Sequence, residues 1–319
     1  MSDAPASRPL LGIFWMLVTG LCFVAVTALV KYLGPRVPPQ EQAFLRYVLG
    51  LVFMLPVLRP ILRQRTDRRL LAMFAGRGLL HAGGVMLWFF AMTQIPLAEV
   101  TAMNYLSPVY VTIGAALFLG EKLAARRIAA VLAALLGAVV ILRPGFREVS
   151  PGHLAMLLAA LVFGGSYLLA KVLSSRVSPA LVVAHLSIWV TLALAPFAAA
   201  VWVTPTLNEL VILFGVACFA TAGHYTMTLA FREAPVTVTQ PVTFLQLVWA
   251  TALGALVFGE PVDIWVLTGG GLILGAVTFI TWREAVVRRR TITPPGPRNQ
   301  GLTQKSPFGA GSYSVRHVC

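Results

Sequence analysis

Ionisable and hydrogen-bonding side chains inside long apolar runs are where this sequence could do chemistry, because each is costly in hydrocarbon. Arg77, His81, Gly84 and Trp88 recur at i, i+4, i+7 and i+11. That spacing sets a cation, an imidazole and an indole on one face of a helix. The stripe could meet a polar solute. Alternatively, Arg77 lies about 10 Å from the end of its run at 1.5 Å per residue and snorkels to headgroups, while His81 bonds a neighbouring helix. Thr221, His224, Tyr225 and Thr228 form a second stripe. Its imidazole could bind or carry a proton, since histidine titrates closest to neutral pH, or it could join two helices by a hydrogen bond. No carboxylate lies deep in any run, so proton coupling would rest on His81 or His224.

Further candidates for solute contact are Thr101, Asn104 and Tyr105, then Ser166 and Tyr167, then Gln240, Thr243, Phe244 and Trp249. Trp88, Tyr105, Phe244 and Trp249 could stack a flat ring, although aromatic residues in such runs more often pack or anchor at interfaces. Glu121 and Glu260 stand just before apolar runs, where capping the following helix explains them without chemistry. Snorkelling would account for Arg46 near the end of its run. Catalytic constellations are missing: there is no His-Glu-x-x-His, no Gly-x-Ser-x-Gly and no paired aspartates within a run. Cys22, Cys218 and Cys319 are too far apart for metal or redox spacing. These patterns predict no enzyme and no metal.

The elements that must position these residues are membrane helices. Of 319 residues, 58% are hydrophobic and only 11% charged, against about 25% charged in soluble domains. Runs of roughly 18 or more apolar residues, each able to cross a ~30 Å hydrocarbon core, predict spans at 10–31, 43–62, 70–93, 97–119, 124–142, 152–172, 180–203, 208–230, 235–258 and 263–282. The predicted fold is an all-α membrane protein of ten transmembrane helices, its first run being too long for a cleavable signal core. The net charge of +14 sits in the connections rather than on one domain face, so the lipid bilayer, and no nucleic acid, is the expected partner. Arg8, Arg59, Arg63, Arg65, Arg68, Arg69, Lys122, Arg126, Arg127, Lys171, Arg176 and Arg232 fall on one side with the basic tail. Lys31, Arg36, Arg143 and Arg147 fall on the other. The basic side faces the cytoplasm, which predicts a multi-pass protein of the bacterial inner membrane with both termini inside. Residues 283–319 read as a basic, disordered tail.

The chain also repeats itself. Gly12, Met16, Leu17, Phe23, Lys31, Arg36, Val37 and Pro39 match Gly152, Met156, Leu157, Phe163, Lys171, Arg176, Val177 and Pro179 at a constant offset of 140. Ala91, Pro96, Gly120 and Glu121 match Ala230, Pro235, Gly259 and Glu260 at 139. The copies are 10–142 and 152–282, and five spans being odd, the second must enter from the opposite side. Inverted copies permit two mirror-related arrangements around a midplane site, the geometry of alternating access. A non-transporting scaffold is the alternative, and an intramembrane enzyme a more distant one.

With these features the sequence resembles the drug/metabolite transporter superfamily, in its form with two EamA-type domains. The resemblance is carried by Ala91-Met92-Thr93-Gln94-Ile95-Pro96, Leu119-Gly120-Glu121, Ala230 to Pro235 and Phe258-Gly259-Glu260. Gly223-His224-Tyr225 with Ala230-Phe231-Arg232 looks like the subgroup that includes proposed carriers of S-adenosylmethionine and riboflavin. Arg46 matches an arginine that recurs in the family, which accounts for it as well as snorkelling does. The resemblance implies ten helices, no cofactor, a small-molecule solute and a central cavity lined by spans 1, 3, 4, 6, 8 and 9.

Overall fold

A computed structural model describes residues 8–62, 67–120, 124–174, 176–177, 179–234 and 236–292. Every element among them is helical: α1 (Pro9–Leu33), α2 (Pro39–Leu62), α3 (Arg68–Gln94), α4 (Leu97–Asn104), α5 (Ser107–Leu119), α6 (Ala125–Leu142), α7 (Pro151–Ser174), α8 (Pro179–Ala200), α9 (Leu207–Glu233), α10 (Val236–Thr239), a 3-10 turn (Gln240–Thr243), α11 (Phe244–Phe258) and α12 (Ile264–Ile292). Proline opens α1, α2, α7 and α8, where its missing N–H costs nothing and its fixed φ suits the first turn. Gly120 and Gly259 close α5 and α11 at φ 69° and 64°, a left-handed turn that a Cβ would strain.

Nine spans among the described residues are long and apolar enough to cross a membrane. Two predicted spans are broken. Span 4 divides into α4 and α5 around Tyr105-Leu106, and span 9 into α10, the 3-10 turn and α11. Pro108 and Pro241 stand at these breaks; neither can donate to the carbonyl four residues earlier, so the apolar run continues while the helix does not. Helix α2 starts four residues earlier than the predicted 43, and α12 runs past the predicted 282 to Ile292. The remaining tail, Glu121 and the connection at 63–66 lie outside the described residues.

The helices pack across the two copies. α1 lies against α9, α3 against α7, α6 against α12, and α2 against α8. Small residues allow α6 and α12 to cross closely: a Cβ on Gly137 would stand 2.6 Å from the Gly269 carbonyl oxygen, and one on Gly269 2.5 Å from the Gly137 carbonyl. The main core gathers Val26, Val85, Phe89, Met103, Leu106 and Met156, whereas Leu117, Phe118, Leu207 and Leu256 point outward. Such large apolar side chains on the perimeter are what a lipid solvent accepts.

Candidate functional site

A cavity of about 240 Å³ lies among α1, α2, α3, α4, α7, α9 and α11. His81 and Trp88 reach it from α3, Asn104 from the end of α4, Tyr167 from α7, His224 from α9 and Thr243 from the break before α11. Rings dominate the wall. His81 packs 5.0 Å from Phe163 and 6.2 Å from Tyr167 between ring centroids, and Phe23 meets His224 edge-on at 5.2 Å. His81 Nδ1 lies 3.3 Å from the Ser166 hydroxyl, which is fully buried behind it.

The other predicted residues stand back from this cavity. Arg77 is buried, and its guanidinium donates to the Val182 carbonyl of α8 at 2.9 Å. Thr101 donates within its own helix to the Leu97 carbonyl at 2.8 Å. The Tyr105 hydroxyl donates to the Thr243 carbonyl at 2.7 Å, tying one helix break to the other. Trp249 packs over Gly20, and Phe244 is partly exposed near Gly271. Tyr225 is 65% exposed on the outer surface of α9. The side chain of Gln240 lies outside the described residues.

Several lining residues escaped the sequence reading: Arg46, Tyr47, Phe23, Phe163, Phe231 and Gln246. Arg46 is the most consequential. Because α2 starts at Pro39, Arg46 is about 10 Å along its helix at 1.5 Å per residue, and it is 6% exposed. Its guanidinium lies 4.4 Å over the Tyr47 ring. The repeat held a signal for the rings, since Phe23 and Phe163 are matched at the offset of 140.

A set of ion pairs joins the copies where α1 and α11 end and α4 and α9 begin. Lys31 pairs with Glu260 and also donates to the Ile95 carbonyl at 3.0 Å. The other oxygen of Glu260 accepts from the Leu97 amide at 2.9 Å. Glu260 therefore caps α4 from across the interface rather than the helix that follows it, because the α11–α12 connection lets it reach back. Arg36 pairs with Glu209 and Arg143 with Asp263. Arg147 grips both Glu99 oxygens at 2.9 and 2.7 Å, with His153 joining the same carboxylate. Hydrogen bonding to Glu99 holds Arg147 above the usual arginine range. Tyr167 and Phe231 are shared with a second cavity of about 510 Å³ bounded by Pro108, Thr112, Ile280 and Thr281.

The family model "EamA-like transporter family" matches residues 10–143 and again 150–282. The chain belongs to the EamA-like transporter family. Among curated relatives, it is 29% identical over 289 residues to a riboflavin transporter of Rhizobium johnstonii, covering 87% of this chain and 93% of that one. It is 28% identical over 286 residues to an S-adenosylmethionine uptake transporter of Rickettsia bellii, covering 89% and 97%. A solved crystal structure matches with a TM-score of 0.57 at 20% identity, covering 88% of this chain and 99% of the other, a likeness of fold alone. Membership in this transporter family accounts for the all-helical, apolar architecture and for a polar, ring-lined cavity inside it.

Proposed function

We propose that this EamA-family chain is a secondary carrier moving a small organic metabolite across the bacterial inner membrane by alternating access. In this reading α2 is a spanning helix beside the nine apolar spans, making ten with α4–α5 and α10–α11 each counted once. The copies 10–142 and 152–282 are threaded in opposite senses, with both termini cytoplasmic. The pairing of helices supports inversion: α1 on α9 and α7 on α3 are the same contact with the copies exchanged. The observation that carries the proposal is an aromatic and cationic cavity between the copies, which shares Tyr167 and Phe231 with a second cavity, while ion pairs such as Lys31 with Glu260 join the copies away from that second cavity. Given the cytoplasmic placement of Arg127 and Lys171, the described state is open to the inside. Broken helices beside a buried site are the usual carrier device, since irregular backbone is tolerated there.

The relatives' named solutes, riboflavin and S-adenosylmethionine, both carry flat heteroaromatic rings, and six rings of this cavity could stack on one. His81 and His224 are the imidazoles facing the cavity, so a proton-coupled cycle would run through them. The test is a single Asn104→Cys in a background lacking Cys22, Cys218 and Cys319. Membrane-impermeant maleimide should label it readily in inside-out vesicles and slowly in right-side-out spheroplasts. Equal rates from both sides, or none from either, would sink the carrier reading.

A further inference from the structure

We infer that the cavity selects an anionic, ring-bearing solute and that Arg46 is the residue that reads its charge. The inference rests on the carrier reading and adds the charge class of the cargo. A cation buried inside a membrane helix bundle is expensive and persists where something pairs with it. Nε and Nη1 of Arg46 are buried without a hydrogen-bond partner among the described residues. Among the described residues no carboxylate lines the cavity; Glu99, Glu209 and Glu260 are engaged in ion pairs, and Glu41, buried on the same helix as Arg46, accepts from the Val203 amide at 2.8 Å and forms no ion pair with Arg46. Arg77, on the same face of α3 as His81, adds a second cation one turn behind the wall, with its Nε also unpartnered.

The geometry suits a planar anion. Stacking on Tyr47 at 4.4 Å leaves the guanidinium edge, with its parallel N–H donors, free to grip a carboxylate or phosphate. Around it stand Phe23, Trp88, Phe163, Tyr167 and Phe231, which supply faces for a ring. The counter-charge that the protein withholds is thus supplied by the cargo. A solute with net positive charge would add a third cation to a site without an acid, and is rejected.

The experiment uses the full chain in lipid nanodiscs, titrated calorimetrically with solutes that share a ring and differ in charge. The pairs are riboflavin with flavin mononucleotide and adenosine with adenosine monophosphate, with S-adenosylmethionine as the cationic probe. The phosphate member is expected to bind at least tenfold more tightly than its neutral partner, and S-adenosylmethionine more weakly than adenosine monophosphate. Arg46→Gln should erase the preference while leaving the neutral member within about threefold, and Arg46→Lys should retain part of it. The ligand-free Arg46→Gln protein should melt no lower than the parent. Equal affinity within pairs, a preference that survives Arg46→Gln, or a clear fall in ligand-free melting temperature would overturn the inference. If the neutral and cationic probes bind without an anion gain, the carrier reading stands alone. If no probe binds and Asn104→Cys is equally reactive from both sides, both fall.

Discussion

Glu260→Gln should, on the carrier reading, open the cavity to the outside. The substitution keeps a carbonyl oxygen that can accept from the Leu97 amide, 2.9 Å from the present Oε2, so the cap on α4 survives. What is lost is the attraction to Lys31, in a pair whose side chains are 20% and 11% exposed and therefore only partly screened. A hydrogen bond to a charged group contributes about 1.5–3 kcal/mol and a neutral one about 0.5–1.5. The inward-open arrangement thus loses roughly 1–1.5 kcal/mol, or about 5- to 12-fold in its equilibrium with an outward-open form, at about 1.4 kcal/mol per factor of ten. Lys31 keeps the Ile95 carbonyl at 3.0 Å, which limits the effect to that range. The assay is the rate at which impermeant maleimide modifies Asn104→Cys in right-side-out spheroplasts, expected to rise by that factor. Lys31→Met should raise it similarly, and the double variant should exceed either single by less than twofold, because both remove one interaction. Unchanged outer labelling in both singles, or a multiplicative double, would refute the assignment of this pair as the outer closure.

Two further expectations concern stability. Gly269→Ala forces a Cβ to 2.5 Å from the Gly137 carbonyl oxygen, so α6 and α12 must part, at a cost of about 1–3 kcal/mol. Gly275→Ala on the same helix meets nothing within 4 Å and should stabilise by about 0.5–1 kcal/mol; denaturant unfolding in detergent compares them, and equal midpoints would reject the close crossing. Tyr105→Phe removes the 2.7 Å bond to the Thr243 carbonyl and should cost about 0.5–1.5 kcal/mol in the same assay. A stability identical to the parent would show that the two helix breaks are not tied there.

Fold class was legible because a bilayer imposes one requirement, an uninterrupted apolar length, and the sequence states that length directly. Span starts at 10, 70, 97, 124, 152, 180 and 208 fall within two residues of the helices observed. The helix breaks were not legible from hydropathy. Pro108 and Pro241 interrupt hydrogen bonding without interrupting apolarity, and only the backbone rule for proline could have marked them. Site residues divided by a similar logic. Periodicity on one helix found His81 and Trp88, but a face is relative: the stripe that placed His224 toward the cavity placed Tyr225, its neighbour, outside. For Arg46 the run's length left two readings open, and only its burial and its place in the cavity wall favour one of them. The ion pairs between the copies join residues up to 229 positions apart, as Lys31 with Glu260, a separation at which no local pattern speaks.

The sequence repeat and the cavity together explain why a symmetric scaffold need not hold a symmetric cargo. Phe23 and Phe163, matched at the offset of 140, both line the cavity, so the aromatic wall is shared between the copies. The arginines are not shared. At the same offset Arg46 falls opposite Leu186, and at 139 Arg77 falls opposite Val216. Exchange between two arrangements of similar energy needs matched packing surfaces, and the paired contacts of α1 with α9 and α3 with α7 supply them. Recognition needs the opposite, a site that differs from its own image so that the solute has one orientation. Placing Arg46 and Arg77 both on the first copy satisfies both demands. On the carrier reading, an anion held by Arg46 on α2 would keep to one wall while the second copy moves against it.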